Sequence, residues 1–258
     1  MSFQLTLYDA QNWARGEIET GHSIRECLNH VINAPAPTIV VWDGKDSRKR
    51  RRRIYEGYKS KRPPLAEDIR QQFELLEALL HLTSVTSIKV DGFEADDVIA
   101  HLAAEWKVGP VLVYSTDRDL LQLPNVRLDG DNSIKCERRY LRLYKTLVGD
   151  PSDAIPGIPG FGEKTFKDNI TPCSALTLET WFESQEDSNH MLLAGELKRL
   201  SPKRCQAWLS EPKNIRLLCD YWKVIGFLDV PERLINKGTT IGKNRLDIVD
   251  EILAGVLQ

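Results

Sequence analysis

Residues 3–8 alternate apolar and polar side chains with the two-residue period of a strand, and Asp9 closes the run. Residues 38–42, Thr-Ile-Val-Val-Trp, form the short continuous apolar run of a buried parallel strand, and Asp43 ends it. Residues 110–115 give another such run, with Asp117 and Asp119 just beyond it. A short strand at 87–90 leads towards Glu94. Between these runs the period changes. Ser23, with Glu26 three residues on, reads as the cap of a helix over 23–32. Residues 66–82 put Ile69, Phe73, Leu76 and Leu80 on one helical face. Ile99, Leu102, Ala103 and Trp106 do the same after an acidic start at 94–97. Strands alternating with helices predict an α/β fold with a mainly parallel central sheet flanked by helices.

In such sheets, ligands bind beyond the carboxyl ends of the strands. Asp9, Asp43, Asp117 and Asp119 fall there after three different strands, and the acidic helix adds Glu94, Asp96 and Asp97. Taken singly, each Asp is ordinary strand-exit chemistry, and acids at a helix start are favoured by the macrodipole. Together they predict a cation site, because crowded carboxylates repel one another and a cation relieves the repulsion.

After Tyr144 the pattern becomes rich in Gly and Pro through residues 149–165, then helical at about 175–182, 191–200, 202–209, 214–224 and 246–253. A soft boundary is expected near 145, between an α/β body (1–145) and a helical part (146–258) packed as one unit. Gly157-x-x-x-x-Gly162-Glu163-Lys164-Thr165 nearly matches a phosphate-binding P-loop, but Glu163 stands where the Lys belongs and would oppose phosphates. The alternatives are a plain turn between two helices and a helix-hairpin-helix. In a helix-hairpin-helix, exposed N–H groups hold a nucleic-acid phosphate and carbonyls can hold a monovalent cation.

Charge sharpens the picture. The 258 residues carry a net charge of −2, yet residues 45–62 alone are +8. Concentrated positive charge beside an acidic cluster suits a polyanion partner. Arg48, Lys49, Arg50, Arg51, Arg52 and Arg53 read as a phosphate track, against a localisation-signal-like patch or a solvated loop. Tyr55 and Tyr58 could stack on unpaired bases or simply pack. Five Cys without a C-x-x-C pair argue for a reducing, cytoplasmic setting. No apolar run approaches the roughly 20 residues of a membrane span, and the N-terminus lacks the basic start and apolar core of a signal peptide. No membrane partner is expected.

Five motifs occur in order: Trp42-Asp43-Gly44; Tyr58-Lys59-Ser60-Lys61-Arg62; Gly92-Phe93-Glu94-Ala95-Asp96-Asp97; Ser115-Thr116-Asp117-Arg118-Asp119-Leu120; and Gly149-Asp150-Pro151-Ser152-Asp153, running on to Gly162-Glu163-Lys164-Thr165. Together, over roughly residues 5–170, they resemble the 5′-nuclease family of flap endonucleases, phage and bacterial 5′-3′ exonucleases and the 5′-nuclease domain of DNA polymerase I. The resemblance implies that Asp9, Asp43, Glu94, Asp96 and Asp117 ligate a first divalent ion, with Asp97 beside them. It gives Asp119, Asp150 and Asp153 to a second ion, with Asp117 between the two. Lys59 and Arg62 match the basic pair near the scissile phosphate, and residues 45–82 a helical arch over the 5′ strand. Gly157, Gly160, Gly162, Lys164 and Thr165 would contact DNA from the hairpin. The implied cofactors are two Mg²⁺ (or Mn²⁺), with K⁺ at the hairpin loop. The implied function is structure-specific cleavage of 5′ flaps, 5′ ends and branched duplexes by a monomer, with the RNA of RNA–DNA hybrids as a further substrate.

Chemistry agrees with that ligand set. Oxygen donors without His or Cys suit Mg²⁺, and paired ions stabilise the attacking and leaving oxygens of a phosphodiester. Two positions depart from the family pattern: Ala10 follows the first Asp where Gly is usual, and Ala154 stands where Asn is common. The competing functions are a junction-binding protein that does not cut, and a small-molecule phosphohydrolase. A pure binder gains nothing from carboxylates that repel DNA, and a small-molecule enzyme has no use for the +8 segment.

Overall fold

The computed structural model describes residues 4–35, 37–184 and 187–256; Phe3, expected to open the first strand, lies outside them. In chain order the elements begin with β1 (Leu5–Asp9), α1 (Ala10–Glu19), α2 (Ile24–Ile32), β2 (Thr38–Asp43), α3 (Lys49–Ile54) and α4 (Glu67–Leu80). Next come β3 (Thr86–Val90), α5 (Ala95–Glu105), β4 (Val111–Tyr114), β5 (Val126–Leu128) and α6 (Leu141–Val148). The chain continues with α7 (Glu163–Asn169), α8 (Pro172–Glu183), α9 (Asp187–Leu200), α10 (Gln206–Leu209), α11 (Pro212–Ile225), α12 (Glu232–Gly238), β6 (Thr239–Ile241) and α13 (Leu246–Val256).

Contacts divide the chain into two units. The first comprises Met1–Ser47, Pro63–Asn132 and Leu228–Gln258; the second comprises Arg48–Arg62 and Ser133–Phe227. The position near 145 that the composition marks lies inside α6.

The first unit is built on a six-stranded sheet of order β5-β4-β1-β2-β3-β6. Its strands are parallel except β6, which runs antiparallel to β3. β1 is buried at every position, as a central parallel strand should be. The chain moves from β1 through β2 to β3 on one side, then crosses to β4 on the other. The strand order therefore reverses at β1, and a crevice forms at such a reversal. On one face, α1, α2, α4 and α13 bury Trp13, Leu28, Leu76 and Val249 in one core with Tyr8 and Trp42. Ser23 caps α2 through the expected box with Glu26. In α5 the inward face is broader than the apolar spacing implied. Ala95, Val98, Ile99, Ala100 and Ala103 are buried, while Leu102 and Trp106 are half-buried.

The second unit is helical. Its core joins Leu143 and Leu147 of α6 to Phe166, Leu178, Leu197, Leu218 and Trp222. Tyr58, from the basic segment, belongs to the same core.

Candidate active site

Within the first unit the acids gather where the topology reverses. Asp9 ends β1, Asp43 ends the neighbouring β2, and Asp117 follows β4 on the other side of β1. Asp9 stands at the N-cap position of α1, yet its carboxylate does not cap that helix. It accepts instead from the Ser115 hydroxyl at 2.8 Å. Ser115 Oγ accepts in turn from the Asp117 N–H at 3.0 Å, and Asp117 Oδ1 from the Asp119 N–H at 2.9 Å. Asn12 Oδ1 braces the same exit, accepting from Thr116 N at 2.8 Å and Thr116 Oγ1 at 3.0 Å. Three carboxylate-bearing residues are thus strung along one hydrogen-bonded turn between β4 and β1.

Asp43 is tied to the acidic helix, its Oδ1 accepting from the Ala95 N–H at 2.8 Å. Gly44 makes that exit possible: a Cβ there would lie 1.9 Å from the Val90 carbonyl oxygen at the end of β3. Glu94 is buried and Asp96 half-buried at the start of α5. Asp9, Glu94 and Asp119 are exposed by only 8%, 3% and 8%. Gathered at the strand ends, these carboxylates make an all-oxygen donor set that fits Mg²⁺. These residues would hold such an ion.

Asp97, grouped with the metal ligands from sequence, also holds backbone. It is fully buried. Its Oδ2 accepts from the Glu94 N–H at 3.2 Å, and its Oδ1 from the Leu228 N–H at 2.7 Å. Both oxygens thus accept from backbone, one at the start of α5 and one at Leu228.

Within the second unit, the basic segment lies against the Gly149-Asp150-Pro151-Ser152-Asp153 loop. Arg62 Nη2 donates to Asp153 Oδ1 at 2.8 Å, the Lys59 N–H to the Asp153 carbonyl at 3.0 Å, and the Tyr55 hydroxyl to the Ala154 carbonyl at 3.0 Å. Lys59 and Ala154 both adopt left-handed backbone, with φ of 51° and 59°. That costs a non-glycine residue about 1 kcal/mol each and concentrates strain where the segments meet. Asn would tolerate this conformation better than Ala. Asp150 is buried and accepts from Lys145 Nζ at 2.7 Å, Ser152 N at 2.9 Å and Ser152 Oγ at 2.6 Å. Burial alone would raise its pKa, but the Lys145 ammonium and the two Ser152 donors outweigh it and hold the carboxyl below its usual range. Lys145 escaped the sequence reading because no charge pattern marks it.

The basic run divides. Lys49, Arg50, Arg52 and Arg53 are exposed on or beside α3, and Arg48 is half-exposed. Arg51 is not a phosphate contact as expected: it is 1% exposed, with Nε donating to Val224 O at 3.0 Å and Nη2 to Gly226 O at 3.3 Å. A run of identical charges hides which one the helical turn sends inward. Tyr58 is also corrected, since a ring 1% exposed cannot stack on a base; it packs in the core beneath Lys59, whose Nζ lies 4.8 Å from the ring centre. Lys59 itself is 5% exposed.

The Gly-rich loop joins α6 to α7, whose Tyr144 and Phe166 rings meet edge to face at 5.1 Å. Gly157, with φ of 66°, passes so close to the end of α6 that a Cβ would lie 2.5 Å from Gly149 N. Gly162 caps α7, and Lys164 and Thr165 follow in its first turn.

The model of the 5′-3′ exonuclease N-terminal resolvase-like domain matches residues 11–140, and the chain belongs to that family. It is 30% identical over 233 residues to Flap endonuclease Xni of Shewanella amazonensis, covering 82% of this chain and 86% of that protein. It is 35% identical over 167 residues to a 5′-3′ exonuclease of Halalkalibacterium halodurans, covering 57% of this chain and 54% of the relative. With the thermostable DNA polymerase I of Thermus thermophilus it shares 40% over 168 residues, 59% of this chain but 20% of the polymerase. The chain thus spans about half of one relative and a fifth of another. In fold it is similar to a zinc-bound T5 5′-exonuclease, with a TM-score of 0.55 at 17% identity, covering 99% of this chain and 100% of that one. It is likewise similar to a bacteriophage T5 flap endonuclease in a complex with DNA and metal ions, with a TM-score of 0.56 at 17% identity, covering 96% and 100%.

Proposed function

We propose that this protein is a divalent-metal-dependent 5′ nuclease acting on flaps, 5′ ends and branched duplexes of DNA. The observation that carries the reading is the set of Asp9, Asp43, Glu94 and Asp117 at the ends of adjacent parallel strands and the helix beside them. Family membership supports it. Bound divalent ions, Mg²⁺ or Mn²⁺, supply an acidified water and charge for the leaving oxygen.

The chain's own residues do the rest. Asp9, Asp43, Glu94, Asp96 and Asp117 hold the first ion, with Ser115 and Asn12 orienting the β4 exit. Asp119, Asp150 and Asp153 serve the second. Arg62 offsets charge on the phosphoryl oxygens, and Lys59 sits beside it on the same strained turn. In the structure Arg62 pairs with Asp153; with substrate bound, Arg62 would turn to the phosphate and leave the Asp153 carboxylate to hold an ion. The exposed cations of residues 48–53 track the strand. Gly157, Gly160, Gly162, Lys164 and Thr165 belong to a helix-hairpin-helix that meets duplex phosphates. The RNA of RNA–DNA hybrids is a further substrate. The enzyme works as a monomer in the cytoplasm, where five free thiols are kept reduced. Among the described residues no helix is long and apolar enough to cross a membrane.

The test is a 5′-labelled flap substrate with Mg²⁺, an EDTA control and Asp117→Ala. Cleavage near the branch, lost in both controls, is expected. Tight binding with no cleavage in Mg²⁺ or Mn²⁺ overturns the reading in favour of a junction-binding protein.

A further inference from the structure

Asp43 is the last residue of β2, and Glu94 lies just beyond the end of the neighbouring β3. The parallel register sets Asp43 beside Val90 where both strands stop. After β3 the chain folds into a turn, closed by the Phe93 N–H on the Val90 carbonyl at 3.1 Å. Gly92 takes the third position of that turn with φ of 81°, as a type II turn requires. A Cβ on Gly44 would lie 2.8 Å from Asp91 Cα, so the two corners meet backbone to backbone.

The two exits stay joined beyond the sheet. The Gly44 N–H donates to the Phe93 carbonyl at 3.1 Å, and the Gly92 N–H to the Lys45 carbonyl at 2.8 Å. The Lys45 N–H donates to Asp91 Oδ1 at 3.0 Å. Gly44 and Phe93 are the chain neighbours of Asp43 and Glu94, so the first bond bears directly on the separation of the two acids. The other two hold that pairing in place, because Lys45 is gripped at both its N–H and its carbonyl. Two of the three bonds are backbone alone. The third depends on a side chain, Asp91, which is exposed.

We propose that Asp91 is a positioning residue of the metal site. By holding the Lys45 N–H, its carboxylate fixes the β2 exit against the turn after β3 and so sets the spacing of Asp43 from Glu94 and Asp96. It acts as an acceptor, not as a charge. Its bearing on cleavage rests on the nuclease reading, whereas the spacing of the carboxylates is read from metal binding alone.

The test compares wild type, Asp91→Asn and Asp91→Ala. Asn keeps an oxygen for the Lys45 N–H and loses the charge, while Ala loses both. Mn²⁺ binding is followed by electron paramagnetic resonance without DNA, flap cleavage is titrated with Mg²⁺, and urea unfolding is measured in EDTA. Asp91→Ala is expected to weaken Mn²⁺ binding and to raise the half-maximal Mg²⁺ concentration, each by about threefold to tenfold. Its cleavage rate at saturating Mg²⁺ should stay close to wild type. Asp91→Asn is expected to bring both metal readouts back near the wild-type values. A lower urea midpoint in Asp91→Ala with wild-type metal affinity in the folded protein overturns the proposal, leaving a merely structural residue. Equal weakening in the two variants overturns it as well, since Asp91 would then act on the ions through its charge. A wild type that binds Mn²⁺ and cuts no flap overturns the nuclease reading, while the three Mn²⁺ affinities still decide the positioning claim. A wild type that binds no Mn²⁺ overturns both.

Discussion

The hydroxyl of Ser115 donates to the Asp9 carboxylate at 2.8 Å and links the end of β4 to the end of β1. The same oxygen accepts from the Asp117 N–H at 3.0 Å. One buried side chain therefore sets the spacing of two proposed metal ligands without touching an ion itself. Removing it should leave both with greater freedom. Ser115→Ala is expected to lower stability by about 1–2 kcal/mol. It should also raise the Mg²⁺ concentration for half-maximal cleavage and slow cleavage by about tenfold to a hundredfold, as partners of metal ligands do. Urea unfolding and a Mg²⁺ titration of flap cleavage check both.

Asp97 and Asp96 are neighbours in sequence and are expected to answer differently to substitution. Asp97 spends both oxygens on the N–H groups of Glu94 and Leu228. Asp97→Asn should lower stability by about 2 kcal/mol, the scale of a lost charged acceptor, with no change in the Mg²⁺ requirement of the folded fraction. Asp96→Asn should change the Mg²⁺ requirement and leave stability nearly untouched. A reversed pattern in the two titrations would exchange their roles.

Arg51 and Arg50 separate in the same way. Arg51→Ala strips two buried carbonyls, Val224 O and Gly226 O, of their donor. The expected loss is about 2–4 kcal/mol, with the salt slope of DNA binding unchanged. Arg50→Ala, at an exposed position, should leave the unfolding midpoint in place and lower that slope by about one.

These cases show what the sequence carries and what it hides. The α2 cap was legible because Ser23 and Glu26 are three residues apart and the interaction is local. The strand exits were legible because Asp9 and Asp43 close apolar runs and Asp117 comes three residues after another. α1 was not, since only Ala10, Trp13 and Ala14 of its ten residues are buried. β6 was missed for a similar reason, being a three-residue edge strand that pairs with β3 alone. The inward turn of Arg51 depends on the phase of a six-residue helix whose first five members are all basic. The use of Asp97 depends on Leu228, 131 residues away. Long-range partners of this kind leave no local pattern.

Acid should act through Asp150. Its carboxyl titrates below the usual range in the folded protein, so the unfolded chain binds its proton first as pH falls. The pair with Lys145 thus stabilises fully above the ordinary carboxylate pKa, and the contribution is lost as pH drops through the lower folded value. Lys145→Met leaves burial to act with less opposition and raises the Asp150 pKa. The variant should be less stable at neutral pH by about 2–4 kcal/mol. It should also lose less additional stability on acidification than the wild type. Urea midpoints in EDTA from neutral pH down to about pH 3 measure this.

On the proposed function, the carboxylates at the β4, β1 and β2 ends hold the ions that drive cleavage. Mn²⁺ binding, followed by electron paramagnetic resonance, can be compared with flap cleavage on the same samples of wild type, Asp9→Asn and Asp117→Asn. Each substitution is expected to weaken Mn²⁺ binding and to lower cleavage with it, while the far-ultraviolet spectrum stays native. Wild-type Mn²⁺ affinity in a folded Asp9→Asn and Asp117→Asn pair, with or without cleavage, would contradict this expectation.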